Sequence, residues 1–392
     1  MSAVEHVRER WRMGVEARAL VLLVASLVAV GLAVLYSASA MSALQEGRGS
    51  AYYLLRQLTG VAVGTVVFAI FAKVDADRFH KWAWPLMALS IFLMLLTVLP
   101  FTESIAPPIH GSRRFLWGAS LQPSELAKLA VVVWTAMLVV KKGERLRGLT
   151  KGLLPFLVVI GVLALLALLE PDLSAAMMFV LVMGVVLFAG GARIGHFVLL
   201  GIVSIPVLWG QVEKLSYALM RMTSFLDPSA VSDANRYQLN QSLIAVGSGG
   251  AFGVGFGQGL QQLGFLPFQL NDFVASTVGE EWGFVGLLLL TGAFAAYGWL
   301  GFRIARQARS PFLSLVAVGL TFTLVLTAYL HIGVVIGLLP TTGLTLPFVS
   351  FGRSNLVLSL LTTGILVNIG SEREKVVGEH ATDPSLAPAY GE

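Results

Sequence analysis

The chain is divided into apolar runs of about twenty residues, each long enough to cross about 30 Å of hydrocarbon as a helix, and this constraint decides the fold class. Lipid offers no partner to a backbone N–H or C=O, so a spanning segment must satisfy its own hydrogen bonds, as a helix does. Composition agrees: 56% of the 392 residues are hydrophobic and 12% are charged. That charged share is about half of what a soluble domain carries. The runs fall at roughly 20–40, 57–72, 82–99, 124–140, 153–169, 173–190, 195–209, 283–301, 312–337 and 354–370. They predict an all-α integral membrane protein, a bundle of about ten transmembrane helices. Residues 1–19 are read as an N-terminal tail, 20–370 as the membrane domain and 371–392 as a C-terminal tail, polar and disordered from Gly378 onward.

Sidedness follows from the basic residues. With the N-terminus inside, the inner segments hold eighteen Lys and Arg and the outer ones eight, with Lys128 left within a span. The positive-inside rule then predicts an even number of spans with both termini cytoplasmic. The net charge of +5 is scattered over many short loops, which fits membrane orientation and not nucleic-acid binding. No cysteine is present, which excludes disulfides, thiol nucleophiles and thiolate metal sites. The small-residue stretch Tyr36-Ser37-Ala38-Ser39-Ala40 is not a convincing cleavage site, so the first run is read as a retained helix.

The segments richest in carboxylates, glycine and proline, at 100–123, 170–172, 210–282 and 338–353, all fall on the predicted outer side. The longest, 210–282 between spans 7 and 8, is too apolar for disorder. Amphipathic stretches at Val212–Phe225 and Tyr237–Val246 predict short interfacial helices under a loop folded back over the bundle.

Asp272 is a carboxylate among apolar neighbours, in Leu266-Pro267-Phe268-Gln269-Leu270-Asn271-Asp272-Phe273. Desolvation suits it to general-base work, and a helix N-cap is an equally open local reading. Glu125 and Lys128, three apart on one face of the fourth span, are either a phosphate-binding pair or a structural ion pair; Ser124 is a candidate cap for that helix. Arg113 and Arg114 offer planar forks for phosphate, or headgroup anchors. In Glu170-Pro171-Asp172, Asp172 reads as an N-cap and Glu170 as the freer acid. The stretch from Gly337 to Asn355, with Pro340, Pro347 and Ser350, interrupts hydrophobic sequence and predicts irregular backbone lining a pocket. The six histidines show no metal-ligand spacing, and Gly253-Val254-Gly255-Phe256-Gly257 lacks the ending of a phosphate loop.

Taken together, Leu35-Tyr36-Ser37-Ala38-Ser39, Gly111-Ser112-Arg113-Arg114, Gln122-Pro123-Ser124-Glu125-Leu126-Ala127-Lys128, Glu170-Pro171-Asp172-Leu173, Phe225-Leu226-Asp227-Pro228, Gln241 to Gly250, Asp272-Phe273, Gly279-Glu280-Glu281 and Gly337 to Gly352 resemble the SEDS family (shape, elongation, division and sporulation; FtsW, RodA and SpoVE). The likeness runs over nearly the whole membrane domain, and Gly279-Glu280-Glu281 looks more like the division branch. The resemblance implies a peptidoglycan glycosyltransferase of the cytoplasmic membrane that polymerises lipid II into β-1,4 glycan strands during septal wall synthesis. It implies undecaprenyl-pyrophosphate-linked glycan as donor, a class B penicillin-binding protein and other divisome membrane proteins as partners, and an extracytoplasmic active site. The family's essential aspartate falls on Asp272. Lys128, Arg113, Arg114 and a divalent cation, Mg or Mn, are candidates to balance the leaving pyrophosphate, and Glu125, Glu170 and Ser350 to complete the substrate site. A lipid II flippase and a non-catalytic scaffold are the rival readings. This chain departs from the family pattern at Gln269-Leu270-Asn271, Arg353-Ser354-Asn355, Phe115 and His331.

Overall fold

The computed structural model describes residues 7–108, 112–117, 121–148, 152–193 and 233–377, with isolated positions between 195 and 210. The elements in chain order are β1 (Val7–Met13), α1 (Val15–Gln45), α2 (Tyr52–Lys73), α3 (Arg78–Val98), α4 (Pro123–Lys142), α5 (Leu154–Leu169), α6 (Leu173–Ala189), α7 (Asp233–Ser248), α8 (Val274–Gln307), α9 (Pro311–Val335), α10 (Arg353–Ile369) and β2 (Ser371–Val377). Nine of the predicted spans coincide with α1 to α6 and α8 to α10; the tenth, 195–209, lies largely outside the described residues, as does the stretch Val212–Phe225. Six of these helices have the length and hydropathy of a membrane span, and α5, α6 and α10 are shorter and apolar.

Burial ranks the helices. In α4 78% of the apolar window is inside the protein, against 17% in α2, so α4 is the axis and α2 faces lipid. Pro123 starts α4 with its φ already helical, and Lys141 and Lys142 oppose the negative end of its dipole. Ser124 lies inside the first turn, and Gln122 is the N-cap with no side-chain bond, so Ser124 does not cap the helix as expected. Asp172 does cap α6, its carboxylate accepting the Ala175 N–H at 3.0 Å. On α2, Gly60 and Gly64 stand one turn apart and let α10 approach: a Cβ on Gly64 would meet Leu360 at 2.5 Å.

The ends differ from the expected tails. The first helix begins at Val15 rather than residue 20, and β1 pairs antiparallel with β2 from Val7↔Val377 to Met13↔Ser371. Hydropathy carries no signal for so short a polar ladder. The pairing puts both ends of the membrane domain on one face of the bundle, as an even number of spans requires.

The second difference lies at α8, which starts nine residues before the predicted span at 283 because a kink splits it at Gly283 (φ 68°, ψ −160°). The rungs Glu280 to Phe284 and Glu281 to Val285 are lost there. The glycine run replaces both: the Val254 and Gly255 N–H groups donate to the Glu280 and Glu281 carbonyls at 3.0 and 3.1 Å, and the Phe284 and Val285 N–H groups donate to Gly250 and Ala251 at 2.9 and 3.1 Å. Four backbone groups thus keep partners at a break in a buried helix. A Cβ on Gly283 would stand 2.4 Å from the Gly253 nitrogen, in a left-handed conformation that L residues resist. Gly283→Ala should therefore destabilise the protein by about 2 kcal/mol or more. Gly292→Ala, also in α8 but with open space around the added Cβ, should be neutral or slightly stabilising; thermal unfolding of the detergent-solubilised pair checks the contrast.

Candidate active site

Asp272 is placed by a turn, one residue ahead of the α8 N-cap position, which Phe273 occupies. Phe268 adopts φ 53°, and its carbonyl accepts the N–H groups of both Asn271 and Asp272, at 3.1 and 3.0 Å. The turn is clamped from outside. The Phe351 N–H donates to the Leu270 carbonyl at 2.8 Å, and the Ser350 hydroxyl donates to the Asn271 carbonyl at 2.6 Å while accepting the Leu346 N–H at 2.8 Å. Gln57 of α2, buried, holds the clamp in turn: its amide donates to the Ser350 carbonyl at 3.1 Å and accepts the Gly352 N–H at 3.2 Å. From α1 the Ala38 carbonyl takes the Gln269 amide at 2.7 Å. Asp272 is left half-buried on a turn fixed on three sides.

Residues 338–352, between α9 and α10, supply that clamp from deep in the protein. The Phe348 carbonyl packs against Gly31, midway along α1, where a Cβ would come within 2.6 Å of it. The Phe348 ring lies 5.9 Å from that of Tyr297 in α8. Leu346, Phe348, Val349 and Ser350 are buried, so the predicted irregular backbone is packed on protein as lipid requires. Ser350 is a brace for the Asp272 turn.

The remaining predicted residues form two further clusters. Glu125 and Lys128 make an ion pair at 2.8 Å between α4, α9 and α10, with Lys128 buried and Glu125 partly so. They face a cavity of about 30 Å³ lined also by Thr323, Thr327, Asn355 and Ser359, with Pro347 at its wall. Arg113 donates to the Ala106 carbonyl and the Thr102 hydroxyl, both at 3.0 Å. Arg114 donates to the Glu170 carbonyl at 3.2 Å and to the Pro171 carbonyl. Both forks engage the protein itself. Glu170 is not the freer acid expected: only 2% exposed, it accepts the Thr97 hydroxyl on one oxygen and leaves the other unpartnered.

One segment touches all three clusters. Ser350 and Phe351 hold the Asp272 turn, and Pro347 lines the Glu125–Lys128 cavity. The Thr342 carbonyl accepts the Ser174 hydroxyl beside the Glu170 turn at 2.7 Å, and Ser354 at the start of α10 accepts the Gln122 N–H ahead of α4 at 3.1 Å. Sequence reasoning missed Gln57 and Gln269; the signal available was a lone amide at the edge of an apolar run. Among the described residues no group of three His, Cys, Asp or Glu comes together.

The fold defines a multi-pass helical membrane protein in which Asp272 is carried on a braced turn. The sequence model of the family described as "Cell cycle protein", that of FtsW, RodA and SpoVE, matches residues 18–375, and the chain belongs to that family. It is 36% identical over 370 residues to a probable peptidoglycan glycosyltransferase FtsW of Trichlorobacter lovleyi, covering 94% of this chain and 96% of that one. It is also 36% identical over 352 residues to the stage V sporulation protein E of Bacillus subtilis, covering 89% and 95%. Among solved structures, it superposes with a TM-score of 0.74 and 27% identity on a chain from work on the structural coordination of polymerization and crosslinking by a peptidoglycan synthase complex, covering 90% and 97%. The rod shape determining protein RodA of Thermus thermophilus gives 0.62 at 26% identity, covering 90% and 95%.

Glu170, in the turn between α5 and α6, has its pKa pushed up to about 8 from the usual 4.5, first by burial and further by the charge of Asp172, against the Thr97 hydrogen bond and Arg114. A carboxyl so shifted binds more protons folded than unfolded between those values. Its contribution to stability is whole at pH 4 and is lost progressively as pH rises toward 8, then levels off. Glu170→Gln keeps the acceptor for Thr97 and cannot ionise. Its thermal midpoint should hold between pH 5 and 8 where that of the wild type falls, as unfolding scans across that range will read.

Proposed function

We propose that the chain is a peptidoglycan glycosyltransferase that polymerises lipid II into β-1,4 glycan, and that Asp272 is its general base. The observation that carries the base assignment is the bracing of a half-buried carboxylate on a turn held by α1, α2 and the 338–352 segment. A base must be kept within hydrogen-bond reach of the proton it takes, and this clamp limits the turn's freedom to move. The relatives named peptidoglycan glycosyltransferase FtsW supply the substrate class, and their branch points to septal synthesis.

In the proposed step the acceptor's 4-hydroxyl oxygen attacks the donor's anomeric carbon as its proton passes to the Asp272 carboxylate. The bond from that carbon to the pyrophosphate oxygen breaks, undecaprenyl pyrophosphate leaves, and a single displacement turns the α-linked donor into a β-1,4 bond. The leaving group carries negative charge, and Lys128 is the buried ammonium proposed to balance it, oriented by Glu125. Arg113 and Arg114 each spend Nε and Nη2 on the protein, which leaves Nη1 as the donor available to phosphate. A divalent cation at Asp272 would take the substrate's own phosphates among its ligands, and no step is assigned to one. Two observations support placing the termini inside and the site on the outer face of the cytoplasmic membrane: the basic residues' distribution and the pairing of β1 with β2. The solved complex in which polymerization and crosslinking are coordinated supports a class B penicillin-binding protein as partner.

Purified protein, with its transpeptidase partner and labelled lipid II in detergent, tests the reading. Glycan polymer is expected from the wild type, with a loss of at least a hundredfold in Asp272→Ala and a similar loss in Asp272→Asn. Polymer made at the wild-type rate by Asp272→Asn contradicts the general-base role, and lipid II translocation or partner binding without any polymer favours a flippase or a scaffold.

A further inference from the structure

A buried cluster of oxygen atoms that accept and find no donor lies where α1, the 261–269 arm and the first turns of α8 meet. Glu280 and Glu281 are each 2% exposed and, among the described residues, form no ion pair. Glu280 is satisfied: its carboxylate accepts the N–H groups of Leu260 at 2.8 Å and Gln261 at 3.2 Å. Glu281 is not. One of its oxygens takes the Ser37 hydroxyl, the Gly257 N–H lies beside the carboxylate, and the second oxygen has no partner.

The neighbours share the same deficit. Ser37 has one hydroxyl proton and two acceptors around it, Glu281 and the Gln262 amide oxygen at 3.2 Å. The Gln269 amide nitrogen is used on the carbonyls of Ala38 and Gln262, leaving its own oxygen, only 4% of the residue being exposed, without a partner. A buried carboxylate with neither a countercharge nor a full set of donors is costly.

We infer that this cluster is a binding site for one hard divalent cation of the magnesium, manganese or calcium class, held by the Glu281 carboxylate, the Ser37 hydroxyl and the amide oxygens of Gln262 and Gln269. Such an ion supplies at once the positive charge and the acceptor-directed contacts that are missing, and it takes oxygen ligands alone. The absence of nitrogen and sulfur donors from the cluster disfavours softer ions such as zinc. With one carboxylate and otherwise neutral ligands, the site binds weakly, with a Kd on the order of 10⁻⁴ to 10⁻³ M. The ion fastens α1 and the 261–269 arm to α8. That arm runs directly into the Asp272 turn, so the site is structural and separate from any ion carried in by substrate phosphates.

The test is a count of manganese bound to the purified full-length protein in detergent without lipid substrate, read by electron paramagnetic resonance from 0.05 to 5 mM. About one ion per chain is expected in the wild type and in Asp272→Ala, with at least tenfold weaker binding in Glu281→Gln and competition by magnesium or calcium. No bound manganese in the wild type overturns the inference, as does binding that survives Glu281→Gln or is lost in Asp272→Ala. If Glu281→Gln does not fold, Ser37→Ala replaces it, and unchanged affinity there overturns the inference. The count contains no turnover, so its outcome is independent of the polymerisation assay.

Discussion

A stretch of irregular backbone sunk into a membrane bundle must find every hydrogen bond from protein, and the rest of this structure is arranged around that demand. Residues 338–352 reach the level of Gly31 at the middle of α1, far from bulk water. Gln57 of α2 takes both the Ser350 carbonyl and the Gly352 N–H, and the segment's own Ser350 closes the Leu346 turn. Further partners are backbone atoms of the Asp272 turn, with Ser174 on the Thr342 carbonyl and His331 on that of Leu344. Satisfying the buried segment and fixing the proposed base are one set of hydrogen bonds.

The same economy appears at Gly283. Breaking α8 there frees two carbonyls and two N–H groups, and the glycine run returns all four to a bonded state. Glycine is required at two of its positions, since a Cβ on Gly249 or Gly253 would fall about 2 Å from an α8 carbonyl oxygen. The Gly247–Gly264 stretch therefore serves as a backbone-to-backbone dock, and it also delivers the N–H groups that receive Glu280. The Asp272 turn and the first turns of α8 are thus held by two devices, the deep 338–352 segment and the glycine dock.

Much of the fold was legible because a bilayer sets one dominant length scale. The predicted spans over α1 to α6 and α8 to α10 follow from hydropathy alone, and Asp172 follows from the chemistry of helix starts. What hydropathy does not encode is how one segment meets another. The early start of α8 was hidden because Glu280 and Glu281 look like loop residues until the dock and Ser37 are seen to receive them. Glu170 was misread for a similar reason: its burial comes from Thr97 on α3, distant in sequence. Asp272 stands out as a candidate from its apolar neighbours and from family likeness, but its bracing by Gln57 through Ser350 is a purely tertiary relation.

The central claim is that the deep segment holds the proposed base in place, and the rate of lipid II polymerisation by Ser350→Ala tests it most directly. Removing that hydroxyl unties the Asn271 carbonyl and the Leu346 N–H while leaving the Asp272 carboxylate in the chain. The account predicts that kcat falls ten- to a hundredfold, with helix content and lipid II affinity retained. Turnover at the wild-type rate by a folded Ser350→Ala protein would contradict it.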